Sequence, residues 1–246
     1  MSKEEELMYA ILNNISSTDL PIVFKGALIT KLILSNNGFE DVSRSTEDID
    51  GNWIGEAPSM ESLVDGINRS LGGLSTRYYA KAYRQYDVKK SAGIYILDRN
   101  LNKNVLKMDI SIKPVFGDKV YRIGDMSIRG VIADEILADK LCVLSGKYIF
   151  RRAKDIIDVY ALSNCVDVNT ASIFDICKLK GNEIKAFDEF YNRWHDVEHA
   201  YNKLRGVLGK PEFCDTYSHL DTFIKPFANK NRDLQWNHKT KIWETS

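Results

Sequence analysis

The chain lacks any apolar run near the roughly 20 residues that a membrane-spanning helix needs, so no membrane partner is expected. Its charged first residues also lack the apolar core of a signal peptide, and we therefore expect a cytoplasmic protein. Cysteine is scarce and no Cys-x-x-Cys pair occurs, which disfavours a disulfide framework and a structural zinc site. The thiols are expected to be reduced and mostly buried, and they belong to Cys142, Cys165, Cys177 and Cys214.

Net charge is also missing, because 34 Lys and Arg residues balance 34 Asp and Glu residues. Any attraction to nucleic acid or to an anionic membrane must therefore come from local patches. Neither an internal repeat nor a low-complexity segment is evident. With 246 residues the chain can bury a sizeable core, and its length suits one large domain or a core with a helical extension.

Hydrophobic periodicity predicts short strands alternating with helices in the first half of the chain. Apolar residues recur at helical spacing over residues 3–15, 27–34 and 60–71. Short apolar runs and alternating patterns predict strands. The predicted strands cover residues 22–24, 48–54, 76–86, 94–97 and 105–112, followed by shorter extended pieces near 120–123 and 126–129.

The second half of the chain is predicted to be helical from residue 132 onward. Helices are expected over residues 170–178 and 184–208, while residues 209–246 carry no clear pattern. Strands that dominate one half and helices that dominate the other are typical of an α/β (α+β) fold. We therefore predict a mixed sheet core over residues 1–131 and a mainly helical region over residues 132–246.

An Asp-x-Asp pair, Asp48 and Asp50, is the most informative local feature. Alternation in an extended segment puts both carboxylates on one face and Ile49 on the other, with the two Cβ atoms roughly 6–7 Å apart. This spacing suits carboxylates that share a hard divalent cation such as Mg²⁺, which also takes phosphate oxygens as ligands. Solvated acidic turns often have the same pattern, so the pair alone does not separate the two interpretations.

A glycine between a predicted strand and a predicted helix is the second local feature. In Lys25-Gly26-Ala27 it would let backbone N–H groups approach a ligand, and the start of a helix favours anions. An ordinary strand-to-helix turn has the same sequence pattern. The glycine therefore indicates a phosphate site only in combination with other features.

Two charged residues, Asp109 and Lys140, lie among apolar neighbours. Asp109 belongs to an alternating strand, so it faces either the surface that carries the Asp pair or the solvent beside an edge strand. Lys140 occupies an inward position of a predicted helix. A lysine at such a position either binds a buried anion or extends outward along its aliphatic stem.

Basic and aromatic residues form two clusters that could bind RNA. The first lies on the strand predicted over residues 76–86 and continues to Lys89 and Lys90, and the second follows Lys140, where Asp155 and Asp158 could pair with the bases instead. Solvated charge and cross-strand packing of tyrosines explain the clusters equally well. The candidate RNA-binding residues are Arg77, Lys81, Arg84, Arg151 and Arg152, together with Tyr78, Tyr79 and Tyr83.

The order of these features resembles a known family. A strand ending in Lys-Gly, a helix, Arg-x-Thr-x-Asp-Ile-Asp at residues 44–50, and then Lys140 with Arg-x-x-Asp at residues 152–155 are similar to nucleotidyltransferase-fold proteins of the abortive-infection AbiEii type. That family includes toxins of type IV toxin–antitoxin systems, and the MenT toxins of mycobacteria are similar. The resemblance covers about residues 20–165.

The resemblance implies an enzyme that transfers a nucleoside monophosphate from a nucleoside triphosphate to an acceptor, expected to be RNA such as tRNA, and an antitoxin protein encoded nearby. It implies Mg²⁺, or Mn²⁺, held by Asp48 and Asp50, with Asp109 helping to activate the acceptor hydroxyl. It further implies nucleotide binding by Lys25, Gly26, Ala27, Arg44, Thr46 and Lys140, and a catalytic role for Asp155, which would orient Lys140.

The chain departs from the family pattern at Ala27, where a second glycine or a serine is usual. Alanine keeps the backbone donors but removes a hydroxyl contact, which leaves nucleotide affinity and nucleotide choice open. The implied reaction needs no covalent nucleophile, because metal ions and a lysine near the leaving phosphates stabilise the charge that develops.

A different enzyme class is suggested by the segment His195-Asp-Val-Glu198-His199, which matches an inverted zinc-peptidase motif. Both histidines border the apolar stripe of the predicted helix, where a histidine is usually a packing residue. Two further alternatives are a small-molecule nucleotidyltransferase of the antibiotic-modifying kind, which shares the glycine and Asp-x-Asp features, and a non-catalytic binding module that keeps the fold.

Overall fold

A computed structural model describes residues 2–85 and 91–245. Within these residues the chain forms a mixed α/β structure, as the sequence predicts. Tyr86, at the end of a predicted strand, and Lys89 and Lys90, in the first predicted basic cluster, lie outside the described residues.

The helices of the described residues begin close to where the apolar periodicity begins. Helix α1 starts with a capping box, in which the Ser2 hydroxyl accepts from the Glu5 N–H (3.2 Å) and the Ser2 N–H donates to the Glu5 carboxylate. The helices are α1 (Lys3–Ser16), α2 (Gly26–Asn36), α3 (Met60–Leu74), α4 (Ala133–Leu144), α5 (Ala153–Ser163), α6 (Thr170–Leu179), α7 (Asp188–Asn192), α8 (Trp194–Lys203) and α9 (Phe213–Ala228).

The strands of the described residues belong to three sheets. They are β1 (Ile22–Lys25), β2 (Ser43–Arg44), β3 (Asp48–Trp53), β4 (Tyr78–Arg84), β5 (Ser91–Asp98), β6 (Lys103–Ser111), β7 (Asp118–Ile123), β8 (Met126–Val131), β9 (Val168–Asn169), β10 (Val207–Leu208), β11 (Leu234–Asn237) and β12 (Ile242–Thr245).

The chain divides into two compact units. Unit 1 contains Met1–Leu32 and Thr46–Val131, and unit 2 contains Ile33–Ser45 and Ile132–Ser246. Residues 33–45 thus belong with the second half of the chain, whereas the sequence predicts a single domain boundary, at residue 131. The two domains inferred from the sequence remain a prediction.

Unit 1 is built on a seven-stranded sheet with the order β4-β5-β6-β3-β1-β8-β7. Strand β3 runs antiparallel to β1 and parallel to β6, so the Asp-x-Asp strand lies inside the sheet. One face of the sheet is apolar, with Ile49 and Ile110 fully buried, and helices α1 and α3 pack together beside it. The opposite face of β3 and β6 carries the acidic side chains.

Unit 2 is mainly helical but also holds the two smaller sheets. Strand β9 pairs with β11 and β11 with β12, while β2 pairs with β10. The aromatic core around Trp236 contains Phe223 and Phe227, and the Trp236 indole donates to the Ser163 carbonyl (2.7 Å). These elements account for most of residues 209–246, which carry no clear pattern in the sequence.

The single helix predicted over residues 184–208 is wrong. Helices α7 and α8 are separated at Arg193, whose backbone (φ −118°, ψ 30°) is not helical. The chain is then extended at Leu204, and β10 follows Gly206, which has a positive φ of 70°. Apolar spacing alone does not reveal these breaks, because α7 and α8 both present apolar residues to the core.

No described helix is both long and apolar enough to cross a membrane.

Stability below neutral pH is expected to depend on His219. Burial, with a smaller contribution from Lys241, lowers the pKa of this imidazole to about 4. A histidine of the unfolded chain titrates near about 6.5, so the stabilisation is complete above that pH and is lost as pH falls toward about 4.

The variant His219→Gln should therefore show a weaker dependence of the free energy of unfolding on pH across this range, measured by urea denaturation. The matched control is His195→Gln, because the His195 side chain is exposed. If His219→Gln kept the wild-type slope, another group would have to carry the titration.

Candidate functional site

The turn between β1 and α2 brings the main chain against a carboxylate. Gly26 has a positive φ of 76°, and a Cβ atom at this position would lie 2.5 Å from Asp50 Oδ2. An L-residue would therefore meet both an unfavourable backbone conformation and a collision. The glycine of the predicted phosphate turn and the second aspartate of the Asp-x-Asp pair are neighbours in space.

The acidic side chains of unit 1 share one face of the sheet. Asp50 pairs in register with Lys25 on one side and with Asp109 on the other. Asp48 lies two residues earlier on the same strand and thus on the same face, where it is exposed while Asp50 is half-buried. Asp109 faces the Asp pair, which was one of the two interpretations of its sequence pattern.

Asp109 is held by two residues of strand β4. Arg84 Nη2 donates to Asp109 Oδ1 (2.7 Å), and the Tyr83 hydroxyl donates to the same oxygen (3.2 Å). Both partners belong to the first cluster of predicted RNA-binding residues. Arg84 thus lies at the acidic face and forms an ion pair there.

Asn52 is a residue of this face that the sequence analysis missed. Lys25 Nζ donates to its Oδ1 atom (2.7 Å), and the side chain is fully buried. Its Nδ2 atom has no hydrogen-bond partner among the described residues. Extending the alternation of Asp48 and Asp50 by two positions would have identified it. The hydroxyl of Thr46, to which the resemblance assigns nucleotide binding, donates to the Asp48 carbonyl (3.4 Å).

The donor set of the acidic face fits a hard cation that draws further ligands from its substrate. Asp48 and Asp50 supply carboxylate oxygens on one side of a strand, which is the ligand type that Mg²⁺ prefers. No group of three or more His, Cys, Asp or Glu side chains within the described residues is placed to hold a metal ion. Phosphate oxygens and water would therefore have to complete the coordination.

A second charged cluster lies in unit 2 around Lys140. Lys140 Nζ donates to Asp155 Oδ1 (2.9 Å) and to Asp158 Oδ2 (2.6 Å). The Arg44 guanidinium donates to both oxygens of Asp158, from Nε (2.9 Å) and from Nη2 (2.9 Å). Asp158 thus links Arg44 to Lys140, a role that the sequence analysis did not assign to it. Contact of Lys140 with a triphosphate remains a prediction from the resemblance.

Burial and charge oppose each other in this cluster. Burial alone would lower the pKa of Lys140, but Asp158 and Asp155 outweigh it and raise that pKa. Burial alone would raise the pKa of Asp158, but Lys140 and Arg44 hold it below its usual range. Lys140 and Asp158 therefore both stay charged at neutral pH.

The remaining predicted RNA-binding residues have different surroundings. Arg77 forms an ion pair with Asp98, which lies on the face of β5 opposite to the acidic residues. Lys81 is exposed and pairs in register with Tyr95. In unit 2, Arg151 and Arg152 are both exposed. The Arg151 guanidinium lies over the ring of Tyr148, and Arg152 Nη1 lies 3.8 Å from Asp155 Oδ2.

The zinc-peptidase alternative gains no support from the described residues. His195 and His199 are both exposed on α8, and the rings of Trp194 and His195 are in contact. Neither histidine belongs to a group of metal-binding side chains in the part of the chain that the structure describes.

Comparison with known proteins identifies the family. Residues 7–237 match the family model of the nucleotidyl transferase AbiEii toxin of type IV toxin–antitoxin systems. Since the match covers most of the 246 residues, the chain belongs to the AbiEii family. Among proteins with curated descriptions, none matches the chain significantly.

Solved structures of low sequence identity were also found. MenT4, the nucleotidyltransferase toxin Rv2826c from Mycobacterium tuberculosis H37Rv, is 16% identical, with a TM-score of 0.47 over 77% of this chain and 66% of MenT4. An antigenic nucleotidyltransferase-like protein from Paracoccidioides brasiliensis is 12% identical, with a TM-score of 0.45 over 88% of this chain and 98% of that protein. The chain thus spans slightly less than two thirds of MenT4.

The family, the mixed α/β fold class and the nucleotidyltransferase enzyme class predicted from the sequence are confirmed. The roles of the individual site residues remain predictions.

The Lys140 cluster makes a prediction about stability. Removal of Lys140 leaves Asp158 paired with Arg44, so the expected cost is that of a lost hydrogen bond between charged groups, roughly 1.5–3 kcal/mol. Lys140→Met should therefore lower the free energy of unfolding by about that amount at neutral pH, measured by chemical denaturation. Lys154→Met, which removes an exposed lysine of α5, should change it little.

The pH dependence of this loss follows from the two pKa shifts. The stabilisation by Asp158 is present at neutral pH and is lost as pH falls through its lowered pKa, whereas that by Lys140 is lost as pH rises through its raised pKa. The difference between wild type and Lys140→Met should shrink toward both extremes. A difference that grew under acidic conditions would contradict this account.

Proposed function

We propose that this protein is a metal-dependent nucleotidyltransferase that transfers a nucleoside monophosphate from a nucleoside triphosphate to a hydroxyl group of RNA. The proposal rests above all on one observation, the close approach of Gly26 to Asp50. It brings the start of a helix, where N–H groups favour phosphate, next to a carboxylate of the type that holds a metal ion.

The nucleotide side of the site is formed by the turn between β1 and α2. The first N–H groups of α2 have no partner within the helix and are directed toward its start, where they can bind phosphate oxygens. Lys25, which Asn52 fixes through a hydrogen bond, adds positive charge beside the same turn. Ala27 follows directly and is buried, so only its backbone serves in this role.

The metal side of the site would be formed by Asp48 and Asp50. When bound, a divalent cation lowers the cost of charge on the attacking oxygen and on the leaving phosphate. The two aspartates share one face of β3, and the lack of a Cβ atom at Gly26 leaves room for the Asp50 carboxylate beside the turn. Asp50 would thereby lie next to phosphates that bind at this turn.

The acceptor side of the site would use Asp109. In the proposed reaction the acceptor oxygen bonds to the α-phosphorus, the bond from that phosphorus to pyrophosphate breaks, and the hydroxyl proton is transferred to a base. Asp109 is a suitable base because Tyr83 and Arg84 fix one of its oxygens and so orient the carboxylate. A general base held in this way adds typically 10²–10⁴-fold to a rate.

The biological role is proposed from the family. Family members are toxins of type IV toxin–antitoxin systems, so we propose that this protein is such a toxin, that it acts in the cytoplasm on an RNA such as tRNA, and that an antitoxin opposes it. A small-molecule acceptor is the second candidate, because Glu4 and Glu47 lie beside Asp48 in one cleft of unit 1 and could attract a cationic compound.

Removing either metal-binding carboxylate should abolish the reaction. The variants Asp48→Asn and Asp50→Asn are expected to lower the rate of label transfer from triphosphate to RNA by roughly 10³-fold or more, because they remove charge that acts in the transition state. Asp125→Asn, in the exposed turn between β7 and β8, is the matched control. Near-wild-type transfer by Asp50→Asn would rule out the proposed mechanism.

The acceptor is identified by offering each of the four triphosphates with total RNA and, separately, with cationic small molecules. Label on RNA supports the proposal, whereas label on small molecules alone supports the second candidate. Growth arrest on expression that Asp50→Asn relieves would assign the toxin role to the same site.

A further inference from the structure

A row of side chains crosses four neighbouring strands of unit 1 and ends at Asp48. Lys81 pairs in register with Tyr95, Tyr95 with Lys107, and Lys107 with Asp48. Residues opposite each other on neighbouring strands share a face, and strands lie about 4.8 Å apart. The row therefore places two lysines and a tyrosine on the acidic face, beside the proposed metal-binding pair.

A β-bulge brings a second aromatic ring to this row. The register between β4 and β5 shifts between Ala82 and Arg84, so that Tyr83 is the extra residue. Its ring lies across Gly93, where a Cβ atom would collide with it, and stacks on Tyr95 with a centroid separation of 4.1 Å and an interplanar angle of 26°. The Tyr83 hydroxyl also donates to Asp109, so a hydrogen bond connects the two stacked rings to the candidate general base.

The stack adjoins open space. Tyr95, Lys107 and Asp48 line one cleft of about 430 Å³, and Glu4 and Glu47 also line it. The Lys107 ammonium lies 5.5 Å from the centre of the Tyr83 ring, so positive charge accompanies the aromatic pair. The carboxylates of this cleft do not repel an uncharged base, and the two lysines of the row offer positive charge to the phosphates that flank such a base.

We propose that Tyr95, supported by Tyr83, is a stacking subsite for a terminal nucleobase of a single-stranded RNA acceptor, and that Lys107 and Lys81 bind the adjacent phosphates. This proposal rests on the proposed function, because it assigns the acceptor side of the same site. Aromatic side chains with neighbouring lysines are the usual means of binding single-stranded nucleic acid without sequence preference. A base on Tyr95 would leave its sugar hydroxyl within the region of Asp48 and Asp109.

Binding of RNA provides the test, because it does not require the reaction to occur. The probe is a fluorescently labelled single-stranded RNA of about 12 nucleotides, within the usual range of site sizes, and its Kd is measured by anisotropy. Tyr95→Leu should raise the Kd roughly tenfold or more, the loss expected for one stacked base. Tyr95→Phe, which keeps the ring, should restore binding, and Lys81→Gln with Lys107→Gln should weaken the salt dependence.

The matched control is Tyr191→Leu. Tyr191, on helix α7 of unit 2, is half-buried like Tyr95 and packs its ring edge-on against Phe190, with a centroid separation of 5.5 Å. Equal RNA affinity of wild type and Tyr95→Leu, or equal losses in Tyr95→Leu and Tyr191→Leu, would overturn the subsite. Thermal denaturation of each variant separates lost contact from lost fold.

Transfer of label to RNA, measured in parallel, separates this proposal from the proposed function. If wild type labels RNA and Tyr95→Leu does so with an unchanged KM for RNA, the subsite is wrong and the proposed function stands. If wild type neither binds nor labels RNA but labels a small molecule, the RNA acceptor and the subsite are both wrong, while the nucleotidyltransferase mechanism stands.

Discussion

The contact between the Gly26 backbone and the Asp50 carboxylate is the constraint on which the acidic face of unit 1 depends. A residue with a Cβ atom would lie 2.5 Å from Asp50 Oδ2, so the turn exists in this form only with glycine. The same contact sets where helix α2 begins relative to strand β3. Asp50 in turn lies between Lys25 and Asp109 in the sheet, so one glycine links the proposed phosphate turn, the proposed metal-binding pair and the candidate general base.

Each unit contains a charged cluster whose members hold one another in place, and the two clusters differ in physical character. In unit 1 the charges lie on one face of a sheet and are partly exposed, as at Asp48 and Asp109, which suits groups that must meet a substrate. In unit 2 Asp158 is buried between Lys140 and Arg44, and its strong pairing stabilises the fold of that unit. Only Asp155, of the residues bound to Lys140, is more open to solvent.

The sequence predicted most of the strands and helices of unit 1, because alternation and helical spacing are strong where one face is buried. It also indicated Asp48, Asp50 and Asp109, since carboxylates at alternating positions of an apolar strand are conspicuous. Asn52 was missed because an amide carries no charge signal, and the role of Asp158 was missed because its partner Arg44 is far away in the chain. The break at Arg193 and the bulge at Tyr83 depend on backbone geometry, which residue type alone does not encode.

Nucleotidyl transfer by Gly26→Ala, compared with Gly38→Ala, tests the central claim most directly. Both glycines have similar positive φ values, 76° and 70°, but a Cβ atom at Gly38 would meet nothing within 4 Å. The unfavourable positive φ therefore destabilises both alanine variants to a similar degree, and only Gly26→Ala displaces Asp50. The account predicts that Gly26→Ala lowers the transfer rate by roughly 100-fold, the effect of a displacement of about 1 Å in a reactive site, while Gly38→Ala stays close to wild type. Equal rates for the two variants would contradict it.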